Sequence, residues 1–240
     1  MLYTTRGIIL QQIRYSESSV IAKIFTEKFG LKSYIFKGVH KKKASVKSSL
    51  LQHLNLVELV CDDKDYGGLQ HPKELRLEYP YHTLSTDILK SSIGLFINEM
   101  VLHAVRHEEP DQAMFGFMRD SLIWFDTTNE PVPDFHLWLC IHLTEYLGLK
   151  PQKSDGIPTY FNLSEGIFQE SGSASDELMD KASTAGFYAL LHTALEYLPQ
   201  FSLPYAVRKH LLLHIINYYT WHIPDFGEIQ SHKILSEVLG

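Results

Sequence analysis

The chain has 240 residues, 45% hydrophobic and 21% charged, which suits one large or two modest globular domains and excludes disordered, collagen-like and coiled-coil chains. No apolar stretch approaches the ~18 residues of a membrane span, so a cytoplasmic protein without a membrane partner is expected, and Cys61 and Cys140 are too isolated for a disulfide framework or a conventional zinc site. The net charge of −6 hides a division: residues 1–60 hold ten basic and three acidic side chains, and residues 61–240 hold 12 basic and 25 acidic ones, a split that points to a polyanion partner for the first part and a different task for the second.

In chain order, Thr4 to Tyr79 reads as five short strands: Arg6 to Tyr15, Ser19 to Thr26, Leu31 to Lys37, Leu54 to Cys61 and Leu75 to Tyr79. Gly30 and the Gly67-Gly68 pair supply the backbone freedom for tight connections. Five strands in about 80 residues, with a longer polar link between the third and fourth, fit a five-stranded OB-type barrel, with an SH3-like barrel as the other topology. The period changes to helical after Pro80. Helices are expected over Thr86 to His107, Asp111 to Phe125 and Asp134 to Leu149, the last two entered near an Asp able to cap. Residues 150–174 lose periodicity. An acidic turn at Ser175-Asp176-Glu177 then leads to a helix over Thr184 to Leu198. Pro204 starts a helix reaching about Ile223, whose apolar residues on most sides mark it as central, and Ser231 to Leu239 forms a last short one. The expected class is α+β: an OB-type domain over residues 1–80, then an all-α domain over 81–240 with a non-helical, cysteine-free insertion at about 150–174.

The link between the third and fourth strands carries Lys37, Lys41, Lys42, Lys43 and Lys47. Ammonium groups in such a loop neutralise phosphates and release counterions without reading sequence; four of them on single-stranded DNA give a slope of log affinity against log salt of roughly −3. Arg6, Arg14, Lys23 and Lys32 add cations on the strands. Tyr15, Tyr34 and Phe36 lie beside them as rings on which bases could stack. Arg208 and Lys209 sit near a helix start, where the helix dipole disfavours cations; contact with an acidic peptide is one explanation and surface solubility the other. His103 with His107 and His210 with His214 share helix faces, but neither pair has the Glu of HExxH or a visible third ligand, so no metal is expected. No G-x-S-x-G, P-loop or Rossmann glycine pattern occurs, and neither a catalytic residue nor a cofactor is assigned. An RNA-binding OB-barrel protein and a metal-dependent hydrolase using the histidine pairs are the alternative functions.

Thr5-Arg6-Gly7-Ile8-Ile9-Leu10, Tyr15-Ser16-Glu17-Ser18-Ser19, Phe25-Thr26-Glu27-Lys28-Phe29-Gly30, Lys37-Gly38 and Leu50-Leu51-Gln52 together resemble the opening of the bacterial RecO family of recombination mediators. The likeness continues at Gly148-Leu149-Lys150-Pro151 and from Tyr218-Tyr219 through His222 to Ser231. The resemblance implies an OB barrel that binds single- and double-stranded DNA, a helical domain, and no bond chemistry. It also implies annealing of complementary strands, association with RecR, binding of the acidic tail of single-stranded DNA-binding protein, and indirect help in loading RecA. Many members carry a four-cysteine zinc module after the Gly-x-x-Pro segment. Residues 150–174 here hold no cysteine, so zinc is not carried over, and Tyr160 to Phe168 is expected to keep the hairpin with Gly166 at its turn.

Overall fold

The computed structural model describes residues 2–39, 46–62, 68–105, 109–152, 158–173 and 175–239. Strands β1 (Leu2–Arg14), β2 (Val20–Thr26), β3 (Gly30–Phe36), β4 (Leu56–Asp62) and β5 (Glu74–Tyr79) come first. Helices α1 (Ile88–Ala104), α2 (Gln112–Thr127) and α3 (Phe135–Tyr146) follow, then short strands β6 (Tyr160–Asn162), β7 (Ile167–Gln169) and β8 (Leu178–Met179), and helices α4 (Lys181–Leu191), α5 (Tyr205–His222) and α6 (Ser231–Val238). The chain divides into two compact units, Met1–Ser85 with Val105–Asp126, and Thr86–Ala104 with Thr127–Gly240.

In the first unit the strands form an antiparallel sheet of OB type in the order β3-β2-β1-β4-β5. A parallel bridge ties its β3 edge to the approach to β5: Ile35 N–H donates to the Gln70 carbonyl and Gln70 N–H to the Ser33 carbonyl, both at 2.9 Å. Strand register decides which side chains turn inward. Val20, Ala22 and Ile24 lie opposite Phe36, Tyr34 and Lys32, and the apolar members of those pairs are buried in one cluster with Ile9, Val57 and Leu59. This corrects the expectation for Tyr34 and Phe36: both fill the core, 1% and 4% exposed, and present no ring to a base. Gly7 permits the closeness of β1, since a Cβ there would stand 2.6 Å from Ile24 Cγ2. The register shifts between Ile9 and Gln11, so Leu10 is an extra residue that reverses the inward–outward phase of β1.

Helix α2 belongs to this unit, so packing does not part where the chain changes from strand to helix near residue 80. Phe115 meets Phe25 on the outward face of the sheet with centroids 5.9 Å apart, and Arg119 Nε donates to Glu78 at 2.7 Å. The carboxylate of Asp126 is buried near the end of α2. It accepts the backbone N–H groups of Thr83 and Leu84 at 2.8 Å, that of His82 at 3.0 Å, and the Tyr79 hydroxyl at 3.0 Å, fastening the strand-to-helix link.

In the second unit α3 is the enclosed helix, with every residue from Phe135 to Ile141 buried. That place was expected for α5, which instead buries Leu211, Leu212, Ile215, Tyr218 and Tyr219 and leaves Leu213 and Trp221 42% and 56% exposed. Helix α4 starts three residues before the expected Thr184 because Asp180 caps it, accepting Ser183 N–H at 3.0 Å. It ends at Leu191, and a 3-10 turn over Leu195–Gln200 takes up the rest of the expected helix. Asp176 starts no helix and accepts instead from Ser173 and Gln169. Asp111 caps as expected, accepting Met114 N–H at 2.8 Å, but Asp134 makes no cap bond.

Strands β6 and β7 form a hairpin whose turn closes at Gly166, at φ +69°. Phe161 lies 4.8 Å from both Phe168 and Phe187 and 5.3 Å from Tyr218. The Tyr218 hydroxyl donates to the Leu149 carbonyl at 2.6 Å, and His222 Nε2 to that of Leu163 at 2.8 Å. Rings thus hold the hairpin, and this apolar donor set does not fit a zinc ion. Among the described residues no helix is long and apolar enough to cross a membrane.

Candidate nucleic-acid interface

Hydrogen bonds bring the β1–β2 turn and the exit of β3 together. Tyr15 N–H donates to the Ser19 carbonyl at 2.9 Å, closing the turn, and Val39 N–H donates to the Ser18 carbonyl at 2.9 Å. One end of the sheet thereby collects Arg14, Tyr15 and Lys37, all exposed, with Tyr15 at 63%. Arg14 Nε donates to the Ser16 carbonyl at 3.4 Å. After Lys37, Gly38 turns the chain at φ +74° and Val39 enters the core; Val46 is buried in the same cluster and Lys47, beside it, is exposed. Lys41, Lys42 and Lys43 lie between these two anchors, outside the described residues.

The strand cations separate by register. Lys23 pairs with Gln11 and Ser33 on the outward face. Lys32 lies opposite Ile24, so it shares the inward side and is half-buried. Arg6 is corrected as a phosphate contact. Its Nε and Nη2 donate to Glu27 at 2.9 and 2.5 Å, Nη1 lies 3.7 Å from Glu78, and its guanidinium stands 5.6 Å from the Phe115 ring centre. The Glu27 hydrogen bond raises the Arg6 pKa, and the same bond lowers that of Glu27. Arg6 clamps sheet to helix.

Arg208 is likewise corrected as a peptide contact. It is buried, donates from Nε to Asp134 Oδ1 at 2.6 Å and from Nη2 to the Leu203 carbonyl at 3.0 Å. Asp134 neutralises the cation that the helix start disfavours, which also explains why that carboxylate leaves its own helix uncapped. Lys209 is exposed. With His210, Leu213, Asn217, Thr220 and Trp221 it forms the open stripe of α5, and Asn217, Thr220 and Trp221 line a shallow pocket of about 310 Å³.

Two of the four histidines in the helical pairs are engaged by protein groups. His103 Nδ1 donates to the Phe226 carbonyl, and His107 lies outside the described residues. His214 Nε2 bonds Asp180 at 3.2 Å while His210 is exposed. Among the described residues no three His, Cys, Asp or Glu side chains are grouped to hold a metal ion.

A family model described as recombination protein O, N terminal, matches residues 1–81, and one described as recombination protein O, C terminal, matches residues 85–227. The chain belongs to the RecO family. It is similar to the DNA repair protein RecO of Flavobacterium psychrophilum, at 32% identity over 99% of both chains, and to that of Christiangramia forsetii, at 31% over the full length of both. The DNA repair protein RecO of Bacteroides fragilis is 30% identical over 99% of both chains. Within the family frame, sequence reading missed the outward residues Ile13 and Ile21. For Ile13 the extra residue at Leu10 hid the face, and for Ile21 the alternation along β2 does not say which side closes around the core.

Proposed function

We propose that this chain acts in recombinational DNA repair as a non-enzymatic DNA-binding mediator. It binds single- and double-stranded DNA, anneals complementary strands, and with RecR helps load RecA. The observation that carries the reading is the cationic end of the OB-type sheet in a RecO family chain: Arg14 and Lys37 are brought together through the Val39–Ser18 hydrogen bond, with Lys47 on the far side of the lysine segment. Phosphate contact by ammonium groups tolerates any sequence, as annealing requires.

Lys41, Lys42 and Lys43 extend that cationic segment in sequence. Replacing all three with alanine is expected to weaken binding to every DNA sequence alike and to reduce the magnitude of the salt slope by about 2, at ~0.7 per single-strand phosphate. Unchanged affinity and slope would overturn the assignment. The open stripe of α5 is the proposed seat for the acidic tail of single-stranded DNA-binding protein. Lys209 supplies a cation on a helix with no acidic residue, and Leu213 and Trp221 supply exposed apolar surface. Lys209→Glu with Trp221→Ala is expected to abolish binding of an acidic peptide while leaving DNA affinity intact.

A further inference from the structure

Helix α6 packs against α1 in the second unit. Its eight residues are too few for a stable isolated helix, since those below ~12–15 residues are marginal in water. Its leading backbone N–H groups also need acceptors, and the side chain of Gln230, at its start, supplies none. Glu99 of α1 supplies them instead. That carboxylate accepts Gln230 N–H at 3.1 Å, Ser231 N–H at 2.8 Å and the Ser231 hydroxyl. Formation of α6 and its attachment to α1 thus depend on one side chain.

One turn along α1, His103 holds the preceding segment. Its Nδ1 donates to the Phe226 carbonyl, the two rings meet with centroids 5.8 Å apart, and Phe226 is buried. Gly227 follows at φ +82°, where a Cβ would stand 2.9 Å from His103 Nδ1. Beyond it, Ile229 and Leu235 are the buried apolar side chains among the described residues, while Ile234 and Val238 stay 50% and 36% exposed. The Tyr205 hydroxyl adds an exposed, long bond to the Ser236 carbonyl at 3.3 Å.

We propose that residues 228–239 form a strap, hinged at Gly227 and latched by Glu99, which opens while the rest of the second unit stays folded and so controls access to the α1 face beneath it. Phe226, held by His103, remains on the fixed side of the hinge. Opening breaks the three bonds to the Glu99 carboxylate and exposes two apolar side chains. Unfolding α3 would expose every side chain from Phe135 to Ile141. The first event costs far less free energy, so it occurs far more often.

Hydrogen–deuterium exchange of the full chain at pH 7, read peptide by peptide in a mass spectrometer, tests this for wild type, Glu99→Gln and Ser231→Ala. Wild-type amides of α6 are expected to exchange at least tenfold faster than those of α3. Glu99→Gln removes the charge from the latch and is expected to speed α6 by a further ten- to hundredfold, with α3 within twofold of wild type. Ser231→Ala leaves the carboxylate and the backbone bonds in place, and a gain of about two- to tenfold confined to α6 is expected. It keeps the test decisive if Glu99→Gln does not fold. Exchange of wild-type α6 as slow as that of α3 overturns the inference, because α6 then opens only with the whole unit. Equal acceleration of α3 and α6 in either variant also overturns it, and unchanged α6 exchange in Glu99→Gln removes Glu99 as the latch.

Discussion

Asp126→Asn tests how the sheet is joined to the chain beyond it. The carboxylate is 1% exposed and accepts three backbone N–H groups and one hydroxyl, while its own backbone carbonyl accepts the Thr83 hydroxyl at 2.5 Å. An asparagine of the same shape keeps one acceptor oxygen and turns an NH₂ toward donors. With that oxygen at the Oδ1 position the N–H groups of His82, Thr83 and Leu84 keep an acceptor, at 3.1, 2.8 and 2.8 Å, but all three bonds lose their charge assistance and the Tyr79 hydroxyl loses the acceptor it has in Oδ2. A total of about 1–3 kcal/mol follows, a sizeable share of the ~5–15 kcal/mol typical of a domain. Urea titration followed by far-UV circular dichroism at pH 7 measures it. The pH dependence adds an independent check. Burial alone would raise the Asp126 pKa, but the His82, Leu84 and Thr83 N–H groups and the Tyr79 hydroxyl outweigh it and hold it below its ordinary value. A depressed native pKa means the stabilisation is fully present above the unfolded value and lost as pH falls through the native one. The gap between wild type and variant should therefore be widest at neutral pH and narrow below about pH 4. A loss under 1 kcal/mol at pH 7, or a gap that widens in acid, would refute the reasoning.

Arg208→Ala strands the buried Asp134 carboxylate and is expected to cost about 3–5 kcal/mol in denaturant titrations, whereas Lys209→Ala stays within about 0.5 kcal/mol. Phe161→Ala should cost about 3–5 kcal/mol through the ring cluster, while a chelator leaves the wild-type melting temperature unchanged; melting lowered by chelator would contradict a ring-held hairpin. His136 is fully buried, and burial, reinforced by the nearby Arg208 charge, lowers its pKa to about 3. The unfolded chain thus binds a proton below about pH 6.5 that the native chain refuses, so stability falls as pH drops. Between pH 7.5 and 5 the loss from this group is about 2 kcal/mol, and His136→Leu should remove that part of the decline in urea midpoints.

Particular residues show which properties the chain order carries. The lysines from 37 to 47 and the charge imbalance are local sums, readable without a fold. The strand runs follow from alternation and β-branching, and Gly30, at φ +64°, stands where its turn was expected. Tyr34 and Phe36 were legible as residues on one strand face, but alternation does not say which face closes around a core. Asp180 rather than the Ser175–Glu177 turn starts α4: Asp176, Glu177 and Asp180 all stand before the helix, and Asp180 is the one that accepts Ser183 N–H three residues on and meets His214 from the distant α5.

Arg6 and Arg208 looked like free cations because their partners are distant in the chain. Glu27 lies 21 positions from Arg6, and Asp134 lies 74 positions from Arg208. A charge is visible in the sequence, but whether it is neutralised depends on what folding places within about 4 Å, where the Coulomb term becomes large. Sequence alone therefore determined the cationic first third, the strand-then-helix order and the family. Tertiary structure decided which cations remain available, which rings turn inward, and that packing enfolds α2 with the sheet, since burial and pairing are properties of proximity in space.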